Sequence, residues 1–132
     1  MLEVMIAALI LAVLITSTFA AMQRAFPAIE TARNITVAGH IIQTEIERLR
    51  LKDWSTVSAL SNGSVTVDSS FTSAPAIGNR FTLARSVGSP HADMREITLT
   101  ATWTSFEGRP LSRSYTTRYA RYGMYDFFYN SR

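Results

Sequence analysis

Apolar positions fall into three patterns along the chain. From Met1 to Met22 they are nearly continuous: 18 of 22 residues are apolar and Glu3 is the only charge. At ~1.5 Å per residue a helix over this run is about 33 Å long, enough to cross a hydrocarbon core of ~30 Å. No basic residue precedes the run, and Ala20-Ala21-Met22 continues into charged helix instead of a cleavage loop. The pattern therefore predicts a stop-transfer anchor with Arg24 at the water interface, not a cleaved signal peptide. A carboxylate within such a helix marks either a partner or an interfacial first turn, where an acid favours the positive end of the helix dipole.

The second pattern is helical. Ile35, Ala38, Ile42, Ile46 and Leu49 recur at spacings of three and four, which predicts an amphipathic helix with one buried face. Glu45/Arg48 and Glu47/Arg50 then form i,i+3 pairs on the wetter side. Pro27 removes a backbone donor and clashes with the carbonyl of Gln23, so a bend is expected near residues 23–27. Gly39 is a second soft point.

The third pattern alternates. Phe81 and Leu83 share one side of a strand over Arg80–Val87. Ile97, Leu99, Ala101 and Trp103 alternate with four threonines, and Leu111–Tyr122 alternates more loosely after the turn Glu107-Gly108-Arg109-Pro110. These predict an antiparallel meander with one face free to cover the helix stripe. Before it, ten of the twenty residues 55–74 are serine or threonine, a surface loop with the turn Asn62-Gly63 and a short strand at Ser64–Val67. Asn34-Ile35-Thr36 and Asn62-Gly63-Ser64 also fit the N-glycan acceptor pattern.

The fold class is thus α+β: a long N-terminal α-helix packed on a small antiparallel β-sheet head. Its parts are an apolar membrane or filament-core helix over residues 1–24, an amphipathic continuation over 25–54, and a head with an aromatic tail over 55–132.

Composition narrows the chemistry. The mean hydropathy of +0.08 with 47% hydrophobic residues is an average over a membrane-like rod and an ordinary water-facing head. With no cysteine among 132 residues, disulfide scaffolds and thiolate–zinc sites are excluded. His40 and His91 stand at no metal-ligand spacing; His91 with Asp93 is at most a weak ion site. No phosphate-binding glycine loop, nucleophile elbow or thiol is present, so no enzyme activity, cofactor or metal is expected.

The net charge of +3 resides from Trp54 onward. Arg80, Arg85, Arg95, Arg109, Arg113, Arg118 and Arg121 suit either solubility with ion pairs to acids on adjacent subunits or, less favoured, DNA phosphates. The C-terminal Tyr125, Phe127, Phe128 and Tyr129 are too dense to be solvated for nothing. They are expected to pack on the base of the sheet or on a neighbouring subunit.

Met1-Leu2-Glu3-Val4-Met5-Ile6-Ala7 resembles the start of the type IV pilin superfamily, which includes pilins, minor pilins and type II secretion pseudopilins. Ala32-Arg33-Asn34 through Glu45-Ile46-Glu47-Arg48-Leu49 and Trp54 are similar to the helix end of minor pilins and minor pseudopilins. The family's leader glycine and first phenylalanine are not in the sequence, as if two mature residues were missing ahead of Met1. Thr16-Ser17-Thr18 occupies the region where relatives carry glycine or proline, and the C-terminal disulfide loop of many pilins is absent.

The resemblance implies a structural subunit of an extracellular filament, processed by a prepilin peptidase and handled by pilus or secretion machinery. It would reside in the bacterial inner membrane before joining copies of itself in a helical fibre. Glu3 would pair with the N-terminal amine of a neighbour and set the register, with Leu2, Val4, Met5, Ile6, Leu9 and Phe19 in the assembly surface. In related filaments part of the apolar helix is unwound, so a break is expected within residues 14–22, where the three hydroxyls can divert backbone hydrogen bonds. The alternatives are a minor pseudopilin of a type II secretion system, which would be periplasmic, and a single-span membrane protein with a β-rich binding domain that never polymerises.

Overall fold

A computed structural model describes residues 2–74, 77–121 and 123. It consists of α1 (Leu2–Arg50), α2 (Trp54–Ser58), β1 (Gly63–Val65), α3 (Ser69–Thr72), a 3-10 turn at Gly78–Arg80, β2 (Thr82–His91), β3 (Met94–Thr104) and β4 (Pro110–Ala120). The four strands form one antiparallel sheet in the order β1-β2-β3-β4. The second half of α1 lies across one face of this sheet, so the fold is α+β, as the sequence pattern predicts.

α1 is 49 residues long and unbroken. The break expected within residues 14–22 is absent. The hydroxyls of Thr16, Ser17 and Thr18 turn back onto carbonyls of the preceding turn: Thr16 Oγ1 donates to Ala12 O at 2.8 Å and Thr18 Oγ1 to Leu14 O at 2.8 Å. Bonded this way, hydroxyls are satisfied inside a helix and leave its ladder intact. The helix also continues through Pro27, whose carbonyl accepts from Thr31 Oγ1 at 2.8 Å.

The buried stripe is rotated slightly from the expected one. Ala38, Ile42, Ile46 and Leu49 are buried, joined by Ile41 and by two polar residues, Asn34 and Glu45. Ile35 instead lies 40% exposed at the flank of the stripe, where Arg113 donates to its backbone carbonyl at 3.1 Å. Glu45 is thus not on the wetter side, although its pair with Arg48 forms at 3.6 Å; Glu47 pairs with Arg50 at 2.9 Å.

Gly39 has a structural reason: a Cβ there would stand 3.1 Å from Arg113 Nη1. Its missing side chain lets that guanidinium close over the helix.

Against this stripe the sheet sets Leu83 of β2 and the alternating Ile97, Leu99, Ala101 and Trp103 of β3, closed by Phe81 and Val57. Phe81 and Trp103 pack tilted, with ring centroids 5.7 Å apart. The opposite face is hydroxylic: Thr82 meets Thr102, Thr98 meets Thr116 and Thr100 meets Ser114 at 2.6–2.9 Å. Such cross-strand pairs each contribute ~0.2–1 kcal/mol, which gives the threonine half of the alternation a purpose.

The Ser/Thr-rich region is more ordered than a loop. Its strand covers Gly63–Val65, and it holds two short helical turns besides, α2 and α3. Asp68 caps α3, accepting from Ser70 N at 2.9 Å. β2 starts two residues later than predicted and runs on through Ser89-Pro90, so His91 closes a strand rather than sitting in a loop. Asn34 is buried and bonded to Glu30, and Asn62 Oδ1 accepts from Val87 N at 2.6 Å. Both acceptor-pattern asparagines therefore have structural work in the fold.

Candidate assembly and membrane surface

Among the described residues the first half of α1 packs against nothing. Leu2, Val4, Met5, Ile6, Leu9 and Phe19 are all more than half exposed, and the neighbouring Ile10, Leu11, Val13, Leu14 and Ile15 are equally bare on the other sides of the helix. A helix apolar all round and partnerless in its own fold needs a surrounding apolar phase: lipid, or other helices. It is long and apolar enough to span a membrane, with none of its best window buried.

Glu3 lies in the first turn, with Leu2, Val4, Met5, Ile6 and Leu9 within two turns. Phe19 stands sixteen residues on, about 24 Å along the axis, and belongs to a different level of the rod. Tyr125, Phe127, Phe128 and Tyr129 lie outside the described residues.

The junction between rod and head is a feature the sequence reading missed. Glu30, one turn past the half-buried Pro27, receives three donors: Arg80 Nη2 at 2.8 Å and Asn34 Nδ2 at 3.3 Å on one oxygen, and the Phe106 backbone N–H at 3.2 Å on the other. This clamp ties the β3–β4 turn to the helix where the bare rod ends. The turn is closed by Gly108 in the left-handed region at φ +77° and by a Gly108 N–H to Ser105 O bond of 3.0 Å. Only the Glu30/Asn34 spacing was legible beforehand; Arg80 and Phe106 are distant in sequence.

A second lock sits at the opposite end of the sheet. Trp54 stacks on Tyr119 with centroids 6.3 Å apart, Arg95 lies 5.5 Å over the Trp54 ring, and the Tyr119 hydroxyl donates to the Lys52 carbonyl. Nearby acids are held in the ionised form by their own turns. Hydrogen bonds from Ser55 and Thr56 lower the pKa of Asp53, and the Ser70 backbone N–H does the same for Asp68.

Each of the seven head arginines among the described residues has a partner within its own chain. Arg80, Arg109, Arg118 and Arg121 pair with Glu30, Glu107, Glu96 and Asp93. Arg85 and Arg113 donate to the carbonyls of Ser61 and Ile35, and Arg95 covers Trp54.

A groove of about 460 Å³ runs between α1 and the outer edge of β4, lined by Gly39, Gln43, Glu47, Arg50, Arg113 and Tyr115. Among the described residues no three His, Cys, Asp or Glu side chains stand close enough together to hold a metal ion.

Comparison with family models, curated proteins and solved structures gives no significant match to any of them.

Proposed function

We propose that this chain is a structural subunit of a type IV pilus-like extracellular filament. It would be held in the inner membrane by the first half of α1 and would later pack that half against copies of itself. One observation carries the reading: a single unbroken helix is bare and apolar over its first half and buried under a sheet over its second. Leaving lipid for water would expose that whole surface, so burial against other copies is the cohesive term. Glu3 in an apolar bundle would need a cation, and a neighbour's amine supplies it with a defined register. The in-chain partners of the seven arginines favour solubility over DNA capture.

The test is imaging of sheared surface fibres with antibody against the head, for the natural chain and for Glu3→Ala. The expected result is decoration along the fibre for the first and membrane retention for the second. A minor pseudopilin would appear only at rare positions or in the periplasm. The β4 edge, unpaired among the described residues, and its groove favour one other reading, a single-span membrane protein whose head binds a partner and never polymerises. Complete absence of the chain from fibres would select that alternative.

A further inference from the structure

The β3–β4 turn carries an unexplained side chain. Phe106 is 84% exposed, although its own backbone N–H is pinned to Glu30. Nothing in the head needs an aromatic ring at the tip of a tight turn, and a free phenyl in water is a cost without a purpose.

Its height supplies the purpose. Arg24 marks the end of the apolar run, and six residues later Glu30 stands about 9 Å further along the axis. The headgroup layer on each side of a bilayer is about 5–8 Å thick, the difference between a ~30 Å core and a 40–45 Å whole, so the clamp stands at its outer boundary. Phe26 and Ile29, 68% and 66% exposed, occupy that layer on the helix itself. Phe26 precedes Glu30 by four residues and so shares its face, the face to which the turn is clamped. Pro27, Glu30, Phe106 and Arg109 line one shallow pocket.

The two exposed phenyl groups therefore stand at neighbouring heights on one side of the molecule. Arg24 and Arg33 add positive charge on the helix at this level, while on the turn Arg109 is balanced by Glu107 and Arg80 by Glu30. The opposite end of the sheet, where Tyr119 bonds to Lys52, stands near the end of α1 at Arg50, twenty residues and about 30 Å farther along the helix.

We propose that the β3–β4 turn is a membrane foot: Phe106, with Phe26, inserts among the headgroups of the bilayer that holds α1. The partner is the anionic lipid surface itself, since aromatic rings flanked by arginine favour that interface. The foot adds little to anchoring, which a spanning helix already secures. Its effect is on orientation, because interfacial anchors set the tilt and rotation of a single helix. It holds the head at one angle over the membrane, and it lets go when the subunit leaves lipid. The inference rests on the membrane residence of α1 but not on polymerisation.

The chain has no cysteine, so single spin labels report cleanly. Full-length protein is reconstituted in vesicles of phosphatidylcholine with about one quarter phosphatidylglycerol. Labels are placed at Glu107→Cys, Ala92→Cys and Leu9→Cys, and collision with a water-soluble nickel chelate is measured. The Glu107→Cys label should be shielded about threefold or more relative to Ala92→Cys, as expected for a site within the headgroup layer. Adding Phe106→Ser should return it to the Ala92→Cys level. A Glu107→Cys label as accessible as Ala92→Cys, with Leu9→Cys shielded, overturns the foot alone. An accessible Leu9→Cys label overturns the membrane reading with it.

Discussion

Leu9 and Leu49 are the same residue on the same helix, yet one is 67% exposed and the other 2%. Local sequence cannot account for the contrast, since both turns are good helix. What differs is the neighbour: Leu49 has a sheet above it, and Leu9 has nothing among the described residues. The second half of α1 is completed by its own sheet, whereas the first half is left bare by every described residue of its own chain. A fold can therefore be finished at one end of an element and unfinished at the other.

Identical substitutions in the two halves should separate them. The largest effect is expected at the buried end: Leu49→Ala should cost about 2–5 kcal/mol, the range for a buried leucine replaced by a cavity. Leu9→Ala should leave head stability unchanged. Urea unfolding of the full chain in micelles, followed by the fluorescence of Trp54 and Trp103, measures both. Next is overpacking. Ala38→Leu, at a fully buried helix position, should destabilise the head by about 1–3 kcal/mol, while Ala20→Leu on the bare half should not.

A smaller loss, about 1 kcal/mol, is expected for Trp54→Leu, which removes the stack on Tyr119 and the surface beneath Arg95. Gly39→Ala works in the other direction. It gains up to ~1 kcal/mol of helix propensity and has only the mobile end of Arg113 to displace, so the melting point should hold or rise.

The smallest effect follows from acid. The folded pKa values of Asp53 and Asp68 are lowered from 3.8, so their contribution is present above that pH and lost as pH falls through the depressed values. Asp68→Asn should flatten the acid limb of the melting curve and leave neutral pH nearly untouched.

Much of this architecture was legible in the residues because each pattern had one dominant cause. The β3 alternation from Ile97 to Trp103 has the strand period, and the helix stripe has the helix period. Both were found within a residue or two. The misreadings arose where two causes compete. Thr16, Ser17 and Thr18 can either divert a helix or bond back along it, and only the observed geometry distinguishes these.

Ile35 fits the apolar spacing but falls at the flank of the stripe, where the neighbour is an arginine contributed from seventy-eight positions away. The Glu30 clamp was invisible for the same reason: the partners that give the glutamate its role are contributed by two distant segments. The bare rod, by contrast, was fully legible, since its composition alone makes it unfit for water.

Under the proposed function the two halves of α1 have different solvents, first lipid and then copies of the chain for one, its own head for the other. Single cysteines at Leu9 and at the exposed Gln43 test it most directly, treated with a membrane-impermeant maleimide in isolated membranes and with an oxidant in sheared fibres. The account predicts that Gln43→Cys labels and Leu9→Cys does not, and that Leu9→Cys forms disulfides between copies in fibres. Equal labelling at the two positions in membranes, or fibres that contain the chain without the Leu9→Cys crosslink, would contradict it.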